Sequence, residues 1–222
     1  MKLKKKLIVY DFDKTIYGGE TGTNFFKFYF KKYPLKSLIF IILYVEDILF
    51  YILRQIKLKE LKERFFKFLE GHSKKEIDEL VKEFWEKEKN KIYDWVKEEL
   101  IENKKQADLV IVTSASPKFI LEKFLLDFGY DIIFGTDFVK FDKDMFVSKI
   151  DGENNKNEEK VKNLKIWAKK EKISFEIIKF YSDSIADKPL YDLAKEKIWV
   201  NKGKKIEGIP IKKTLLDKLF WK

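Results

Sequence analysis

The chain has 222 residues, of which 45% are hydrophobic and 16% aromatic, and this is enough to bury a core without disulfide or metal cross-links. It contains no cysteine and one histidine, His72, which excludes disulfides, thiolate metal sites and a serine–histidine catalytic triad. The net charge is +10, but nearly all the basic residues are lysines spread along predicted helices, so no nucleic-acid partner is predicted.

The predicted elements begin with a buried strand, Leu7 to Tyr10. From about residue 21 to residue 105, apolar residues recur at helical spacing, which predicts a block of helices. Further strands are predicted at 109–112, 131–134, 145–150, 175–181 and 198–200, and further helices at 117–128, 158–171, 186–194 and 214–220. This alternation predicts an α/β fold with a parallel sheet that binds ligands at the carboxyl ends of its strands, and with the helical block inserted after the first strand.

The most apolar segment of the helical block runs from Leu35 to Arg54 and is interrupted by Glu46 and Asp47. An Asp near the middle of a membrane span costs roughly 2.5 to 3.5 kcal/mol, so a span is not predicted. We expect a helix buried inside the insert, and the alternative is an apolar surface that contacts lipid or a lipid-like substrate. The apolar run behind the basic N-terminus is too short for a signal peptide, so a cytoplasmic location is expected.

Four carboxylates follow two of the predicted strands. Asp11 and Asp13 end the first strand, and Asp183 and Asp187 follow the strand at 175–181. Gathering them at one edge of a sheet is unfavourable unless a cation neutralises them. Carboxylates of Asp11 and Asp183, with a backbone carbonyl and water, suit the octahedral shell of Mg²⁺. Each Asp taken alone is more typical of an ordinary loop or of a helix N-cap than of a metal site, so the interpretation depends on the whole set.

Two other segments contribute polar groups. Ser114 follows the second strand and precedes a helix, where its hydroxyl and the nearby backbone of Ala115 can bind an anion. Ser116, before Pro117, also fits a helix N-cap. Lys160 lies near the start of a lysine-rich helix and by itself is typical of a solvated surface.

The ordered set of Asp11-Phe12-Asp13-Lys14-Thr15, Thr113-Ser114, Lys160 and Asp183 to Asp187 resembles the haloacid dehalogenase-like superfamily, whose four motifs follow this order. The helical insertion resembles the cap of subfamily IB, the phosphoserine-phosphatase-like branch. This implies a Rossmann-like core formed by residues 1–17 and 106–222 and a helical cap domain formed by residues 18–105. Asp13-Lys14-Thr15 also resembles the phosphorylation loop of P-type ion pumps, but the Gly-Thr expected there is missing.

The resemblance implies that Asp11 attacks phosphorus and forms an aspartyl-phosphate, while Asp13 protonates the leaving oxygen and then deprotonates water. Thr15 is implied to steady the loop, and Ser114 with Ala115 to bind phosphoryl oxygens.

Lys160 is implied to neutralise charge on the phosphoryl group, and Asp187 to orient Lys160 or a metal-bound water. Mg²⁺ is implied to be held by Asp11, by the carbonyl of Asp13 and by Asp183.

Substrate residues are less well defined. Glu20 and Arg64 match the positions that hold the amine and the carboxylate of phosphoserine, although Arg64 is also explained by a helix salt bridge with Glu60. Three segments depart from phosphoserine phosphatases. Ala115-Ser116-Pro117 replaces the Gly-Gly that follows their Ser, Lys14 stands where glycine or serine is usual, and Asn157 stands where glycine is frequent.

The predicted function is a magnesium-dependent phosphatase that acts on a small phosphorylated metabolite, with phosphoserine as one option. The alternative is a lipid-phosphate phosphatase, for example on phosphatidylglycerophosphate, working at a membrane surface. Contact with a membrane surface is the less favoured expectation, and a non-catalytic phospho-ligand-binding module is the least favoured. The sequence makes no prediction of oligomeric state.

Overall fold

The computed structural model describes residues 4–138 and 142–209. Its strands and helices, in chain order, are β1 (Lys4–Tyr10), α1 (Thr21–Lys32), α2 (Pro34–Ile52), α3 (Leu58–Phe65), α4 (Lys74–Glu88), α5 (Trp95–Gln106), β2 (Leu109–Pro117), α6 (Lys118–Phe128), β3 (Ile132–Thr136), α7 (Glu158–Lys170), β4 (Ser174–Ser182), α8 (Lys188–Tyr191), β5 (Ala194–Asn201) and β6 (Lys204–Glu207). Helices α1 to α5 lie between β1 and β2 in the chain and are called the helical insert below.

The six strands form one sheet in the order β3-β2-β1-β4-β5-β6, parallel except for β6. Val9 of β1 pairs with Ile111 of β2 on one side and with Phe180 of β4 on the other. The predicted α/β fold with a parallel sheet is therefore confirmed. Because the chain leaves β1 toward β2 and later returns to β4, the strand order reverses at the carboxyl end of β1, which is where such sheets bind ligands.

The sheet and the helical insert share one hydrophobic core. Ile8 and Tyr10 of β1 face this core, whereas the intervening residues of the strand face the opposite side of the sheet. Trp85 of α4 stacks on Phe124 of α6 with ring centroids 4.1 Å apart. Its indole N–H donates to the carbonyl of Ile120 at 2.6 Å. Besides the chain connections to β1 and β2, the insert is thus held against α6 by buried aromatic packing and a buried hydrogen bond.

The apolar segment at 35–54 forms α2, and the expectation that this helix is buried inside the insert is wrong. Leu35 is 79% exposed, Ile42 66% and Ile52 68%. The helix packs through a single stripe that includes Phe40, whose ring lies 5.4 Å from that of Phe26 in α1. Hydropathy predicted the helix correctly, but it carries no information about which neighbouring elements cover a helix. Within the described ranges, no helix combines the length and the hydrophobicity needed to cross a membrane.

Two predicted elements differ in the structure. The segment at 145–150 is not a strand: Met145 and Ile150 form isolated bridges to Ser73 and Phe138, and its apolar pattern reflects burial of Phe146 and Ile150 instead. The helix predicted at 186–194 is short, because α8 ends at Tyr191 and β5 already begins at Ala194.

Further findings concern the chain after β5 and the lone histidine. Strand β6 was not predicted, since its residues are charged and exposed and carry no apolar alternation. The helix predicted at 214–220 lies outside the described residues. The lone histidine, His72, is buried with its Nε2 2.8 Å from the hydroxyl of Tyr29, because the turn before α4 folds back onto α1.

Candidate active site

The loop after β1 is a tight turn that places Asp11 and Asp13 at the carboxyl edge of the sheet. The backbone N–H of Asp11 donates to the carbonyl of Tyr181 in β4 at 2.8 Å, which continues the sheet pairing to the end of the strand. The carbonyl of Phe12 then accepts from three successive N–H groups, of which that of Ile16 is nearest at 2.9 Å. Lys14 has a φ of 58°, a left-handed conformation that glycine adopts without steric cost. Glycine would therefore fit this position with less backbone strain than lysine.

Lys160 connects two of the predicted carboxylates. Its ammonium lies 2.7 Å from Oδ1 of Asp11 and 2.8 Å from the carboxylate of Asp187. All three side chains are buried. Burial by itself lowers the pKa of Lys160, but the two carboxylates outweigh this and raise the pKa above its usual value, so the ammonium stays charged. The hydroxyl of Ser182 also donates to Asp187 at 2.7 Å.

The first turn of α7 places Lys160 beside Asp11 and Asp187. Asn157, directly before the helix, has a φ of 53°, again in the region that favours glycine, and asparagine is one of the few other residues that tolerate it. The helix then begins with two glutamates, which suit a helix N-terminus, and Lys160 is turned inward while they stay at the surface. The sequence therefore carried a local signal for the turn, but not for the burial of this one lysine.

Thr15 links the loops that follow β1 and β4. Its hydroxyl donates to Oδ2 of Asp11 at 3.2 Å and accepts from the backbone N–H of Asp183 at 3.0 Å. Burial raises the pKa of Asp11, and the Lys160 ammonium opposes this shift. The nucleophile predicted from the sequence is thus fixed through both carboxylate oxygens.

Asp13 lies between the helical insert and β2. Its Oδ1 accepts from the backbone N–H of Thr21 at 2.7 Å and from the hydroxyl of the same residue at 2.5 Å. Its Oδ2 accepts from the hydroxyl of Ser116 at 2.5 Å. Burial raises the pKa of Asp13, while the hydrogen bonds from Ser116 and Thr21 lower it. The interpretation of Ser116 as a helix N-cap is wrong, because Pro117 occupies that position and the Ser116 hydroxyl is turned to Asp13.

Ser114 is buried at the end of β2, where its hydroxyl accepts from the backbone N–H of Ser116 at 3.0 Å. Asn155, which sequence reasoning did not single out, holds this segment in place through hydrogen bonds. The Asn155 amide donates to the carbonyl of Ser114 at 3.0 Å and to the hydroxyl of Thr113 at 3.1 Å. The side chain is fully buried, so its donors replace water for carbonyl groups that would otherwise be unsatisfied.

Lys62 is a further basic residue of the site, and sequence reasoning missed it. It projects from α3, and its ammonium donates to the carbonyl of Ala115, to Oδ1 of Asn154 at 2.8 Å and to the hydroxyl of Thr136 at 3.2 Å. Burial lowers the pKa of Lys62 to about 7. Among so many lysines at helical spacing, nothing in the sequence distinguishes this one.

The two predicted substrate residues have different positions. Glu20 lines the cavity above Asp11 and forms an ion pair with Lys14. Arg64 is outside that cavity and lies 2.5 Å from the carboxylate of Asp47 in α2. The alternative expectation, a helix salt bridge between Arg64 and Glu60, is wrong. Glu60 instead accepts from the backbone N–H of Lys57 and caps α3.

Asp183 supplies the test of whether a cation fits. Among the described residues, its carboxylate accepts no hydrogen bond and forms no ion pair within 4 Å. Burial raises the pKa of Asp183 to about 7, with Asp187 adding to the shift and Lys14 opposing it. A partly buried carboxylate without a donor, close to Asp11, suits a hard cation.

The same donor set limits the kind of metal. No group of three or more His, Cys, Asp or Glu side chains in the described ranges is arranged to hold a metal ion. The carboxylate of Asp13 already accepts three hydrogen bonds, from Thr21 and Ser116, whereas that of Asp11 accepts two, so we expect Asp13 to offer its carbonyl. Two carboxylates and one carbonyl fit Mg²⁺, which keeps several waters and takes few protein ligands.

These side chains surround a cavity of about 610 Å³. Its floor is polar and includes Asp11, Asp13, Ser114, Lys160 and Asp183. Its opposite wall comes from the helical insert and is largely apolar, with contributions from Tyr44, Leu58, Leu61, Phe65 and Phe66. The cavity therefore offers a charged end for an anion and an apolar wall for the rest of a ligand.

The chain is similar to a known protein family and to several solved structures. The family of haloacid dehalogenase-like hydrolases matches residues 8–192. A protein with unknown function from Bordetella pertussis Tohama I has 20% sequence identity, with 88% of this chain and 90% of that chain covered and a TM-score of 0.76. No curated protein matches the sequence.

Two further solved structures are similar. A phospho-aspartyl intermediate analogue of phosphoserine phosphatase has 19% identity, with 89% and 87% of the two chains covered and a TM-score of 0.60. A phosphoserine phosphohydrolase-like protein from Francisella tularensis subsp. tularensis SCHU S4 has 17% identity, with 90% and 87% covered and a TM-score of 0.58. At these identities the likeness shows a shared fold.

Proposed function

This chain belongs to the haloacid dehalogenase-like hydrolases, and from that membership we propose that it is a magnesium-dependent phosphatase that works through an aspartyl-phosphate on Asp11. The observation that carries the proposal is the placement of Asp11. Its carboxylate is buried at the end of β1, 2.7 Å from the Lys160 ammonium, with Asp13 two residues further on. A nucleophile, a charge-neutralising cation and a second carboxyl group are thereby at one end of one cavity.

In the first step, a carboxylate oxygen of Asp11 attacks phosphorus and the bond from phosphorus to the leaving oxygen breaks. The leaving oxygen takes a proton from the carboxyl group of Asp13. Burial favours this protonated form of Asp13, because it raises the pKa of the group. The hydrogen bonds from Thr21 and Ser116 keep the carboxyl group in place during the transfer.

In the second step, water attacks phosphorus, and Asp13, now ionised, takes a proton from that water. The bond between phosphorus and Asp11 breaks, and inorganic phosphate is released. The same hydrogen bonds that position Asp13 also stabilise its ionised form, so both protonation states are accessible. Lys160 compensates negative charge on Asp11 and on the phosphoryl oxygens, and Ser114 provides a hydroxyl at the floor of the cavity.

We assign Mg²⁺ to the carboxylates of Asp11 and Asp183 and the carbonyl of Asp13. When bound, the ion withdraws charge from the phosphoryl group and reduces its repulsion by the carboxylates. Asp187 acts through Lys160, whose position it fixes.

The first candidate substrate is a small phosphorylated metabolite. Glu20 lines the cavity, and its carboxylate can bind an amine, as in phosphoserine, in exchange for its ion pair with Lys14. Arg64 lies outside the cavity and is paired with Asp47, so it is not available for a carboxylate. A phosphoserine-like substrate is therefore supported on its amine side alone. A cytoplasmic location remains part of this proposal.

The second candidate is a lipid phosphate taken from a membrane surface. It is favoured by the apolar wall of the cavity, since Leu58 lines the cavity and is also 39% exposed beside α2. An acyl or glycerol portion contacts such a wall more favourably than a zwitterionic amino acid does.

The test is hydrolysis of p-nitrophenyl phosphate by the purified full chain, with magnesium and with a chelator. We expect magnesium-dependent release that Asp11→Asn lowers on the order of 10³-fold. Asp78→Asn, at an exposed aspartate on α4, is the matched control and should leave the rate unchanged. Full activity of Asp11→Asn would refute the assignment, and an inactive wild type that still binds phosphate would favour a binding module.

A further inference from the structure

We propose that α2 is a docking helix that lies in the surface of an anionic lipid bilayer, with its exposed apolar side chains inserted between the headgroups. The first observation is the extent of exposed apolar surface on this one helix. Six of its apolar residues are more than three fifths exposed: Leu35, Ile39, Ile42, Leu43, Val45 and Ile52. Soluble proteins rarely expose a contiguous apolar patch of this size without a partner.

The second observation is the shape of the exposed surface. The helix is attached to the insert through a narrow stripe at Ser37, Phe40, Tyr44 and Asp47, which recurs at helical spacing. At 100° per residue, the remaining apolar side chains cover well over half of the circumference. A partner helix or a folded protein would cover a stripe, whereas the headgroup region of a bilayer surrounds a helix that lies in its plane.

The third observation is the charge around α2. Between residues 21 and 59 there are seven basic residues, Lys27, Lys31, Lys32, Lys36, Arg54, Lys57 and Lys59, and two acidic ones, Glu46 and Asp47. Lys27, Lys31 and Lys32 precede α2, Lys36 lies in its first turn, and Arg54, Lys57 and Lys59 follow it. Asp47 is paired with Arg64, Lys32 and Lys59 are paired with Glu83 and Glu153, and Glu46 is exposed. Positive charge at both ends of an apolar helix complements the negative surface of a bilayer that contains anionic lipid.

These charges also decide between a bilayer and a second copy of the chain. Two copies packed through α2 would bring their basic ends together, on a chain whose net charge is already +10. Anionic lipid removes that repulsion. The helix does not meet the requirements for a membrane span, so it lies on the bilayer and does not cross it.

The test is co-sedimentation of the full chain with vesicles of phosphatidylcholine alone and of phosphatidylcholine mixed with phosphatidylserine. We expect binding to the anionic vesicles that weakens as salt is raised. The variant Ile39→Gln/Ile42→Gln/Leu49→Gln removes three exposed apolar side chains of α2. Its affinity for the anionic vesicles should fall by a factor of about ten or more. The matched control, Ile101→Gln/Leu126→Gln/Ile166→Gln, changes comparably exposed residues elsewhere and should bind like the wild type.

The outcomes separate this proposal from the proposed function. Asp11→Asn should sediment with anionic vesicles like the wild type, since docking does not require catalysis. Unchanged p-nitrophenyl phosphate hydrolysis and melting temperature in the α2 variant show that it is folded. The proposal is overturned if the wild type stays in the supernatant or if the α2 variant binds equally well. It is also overturned if light scattering shows a wild-type dimer that the α2 variant converts to monomer while neither binds vesicles.

Discussion

Lys160 and Asp11 are 149 residues apart in the chain, and their charged groups lie 2.7 Å apart in the fold. The pair is buried, and Asp187 contacts the same ammonium at 2.8 Å. Removing one partner of such a cluster costs more than the pair itself contributes, because the remaining charges are left uncompensated in a medium of low polarity.

The variant Lys160→Met is therefore expected to lose both activity and stability. Without the ammonium, burial acts unopposed on Asp11 and raises its pKa further above the value in the unfolded chain. A carboxyl group with a raised pKa in the folded state stabilises the fold below its unfolded pKa and loses that contribution as pH rises. Relative to the wild type, the variant should thus be less stable at pH 8 than at pH 5, with a loss of about 3 to 5 kcal/mol at the higher pH. Urea unfolding at pH 5 and at pH 8 measures the free energy of unfolding, and Lys162→Met is the control at an exposed lysine on the same helix. An equal loss at both pH values would contradict the expectation.

Magnesium is expected to stabilise the folded chain through Asp183. Any ion that binds the folded state alone stabilises it by about 2.7 kcal/mol at one hundred times its dissociation constant, which for a domain of this size raises the melting temperature by several degrees. Asp183→Asn should abolish most of this increase. In the absence of magnesium, the variant should melt at the wild-type temperature or above, because the substitution removes a carboxylate that accepts no hydrogen bond among the described residues. Differential scanning fluorimetry with magnesium and with chelator tests both statements, and Asp192→Asn is the matched surface control. An undiminished magnesium shift in Asp183→Asn would remove this residue from the metal site.

Much of the candidate site was predictable because parallel strands bring distant segments to one edge. Asp11 and Asp183 directly follow β1 and β4, and Ser114 lies in the carboxyl-terminal half of β2, so their convergence follows from the topology. Lys62 and Asn155 could not be found in this way. Their roles depend on which atoms α3 and the segment before α7 approach, and such tertiary contacts leave no periodic trace in the sequence.

The helices of the insert show the same limit. The helical spacing of apolar residues predicted helices in this block, and in α4 the apolar residues Ile77, Leu80 and Phe84 form its buried face. The spacing in α2 is uniformly apolar and therefore could not indicate a buried face. Its exposure is set by the narrow stripe through which it contacts α1 and α3.

Asn155→Ala is expected to destabilise the fold, because three acceptors lose a buried donor. These are the Thr113 hydroxyl and the carbonyls of Ser114 and Phe134, at 3.0 to 3.1 Å. Each buried polar group left unsatisfied costs about 1 to 3 kcal/mol, and we expect a total loss of roughly 2 to 4 kcal/mol, since water can re-enter part of the space. Urea unfolding measures the loss, and Asn90→Ala, at an exposed turn, should change stability by less than about 0.5 kcal/mol. A loss for Asn155→Ala no larger than that of the control would show that these hydrogen bonds are dispensable.

Lys62 predicts a pH dependence of substrate binding. Burial lowers the pKa of Lys62 to about 7, against the attraction of Asp13, so the ammonium is charged below this pH and increasingly neutral above it. A phosphate monoester is a dianion above about pH 6, and it is attracted to the cavity that Lys62 lines as long as the ammonium is charged. The KM of the wild type for p-nitrophenyl phosphate should therefore rise severalfold between pH 6.5 and pH 8.5, which corresponds to about 1 kcal/mol of lost attraction. Lys62→Met should show a KM that is high already at pH 6.5 and rises less than that of the wild type over this range, since Asp183 still ionises in the same cavity, while Lys67→Met, an exposed lysine in the turn after α3, should follow the wild type. A KM of Lys62→Met that still rises with pH as in the wild type would assign the titration to another group, since the variant has no ionisable side chain at this position.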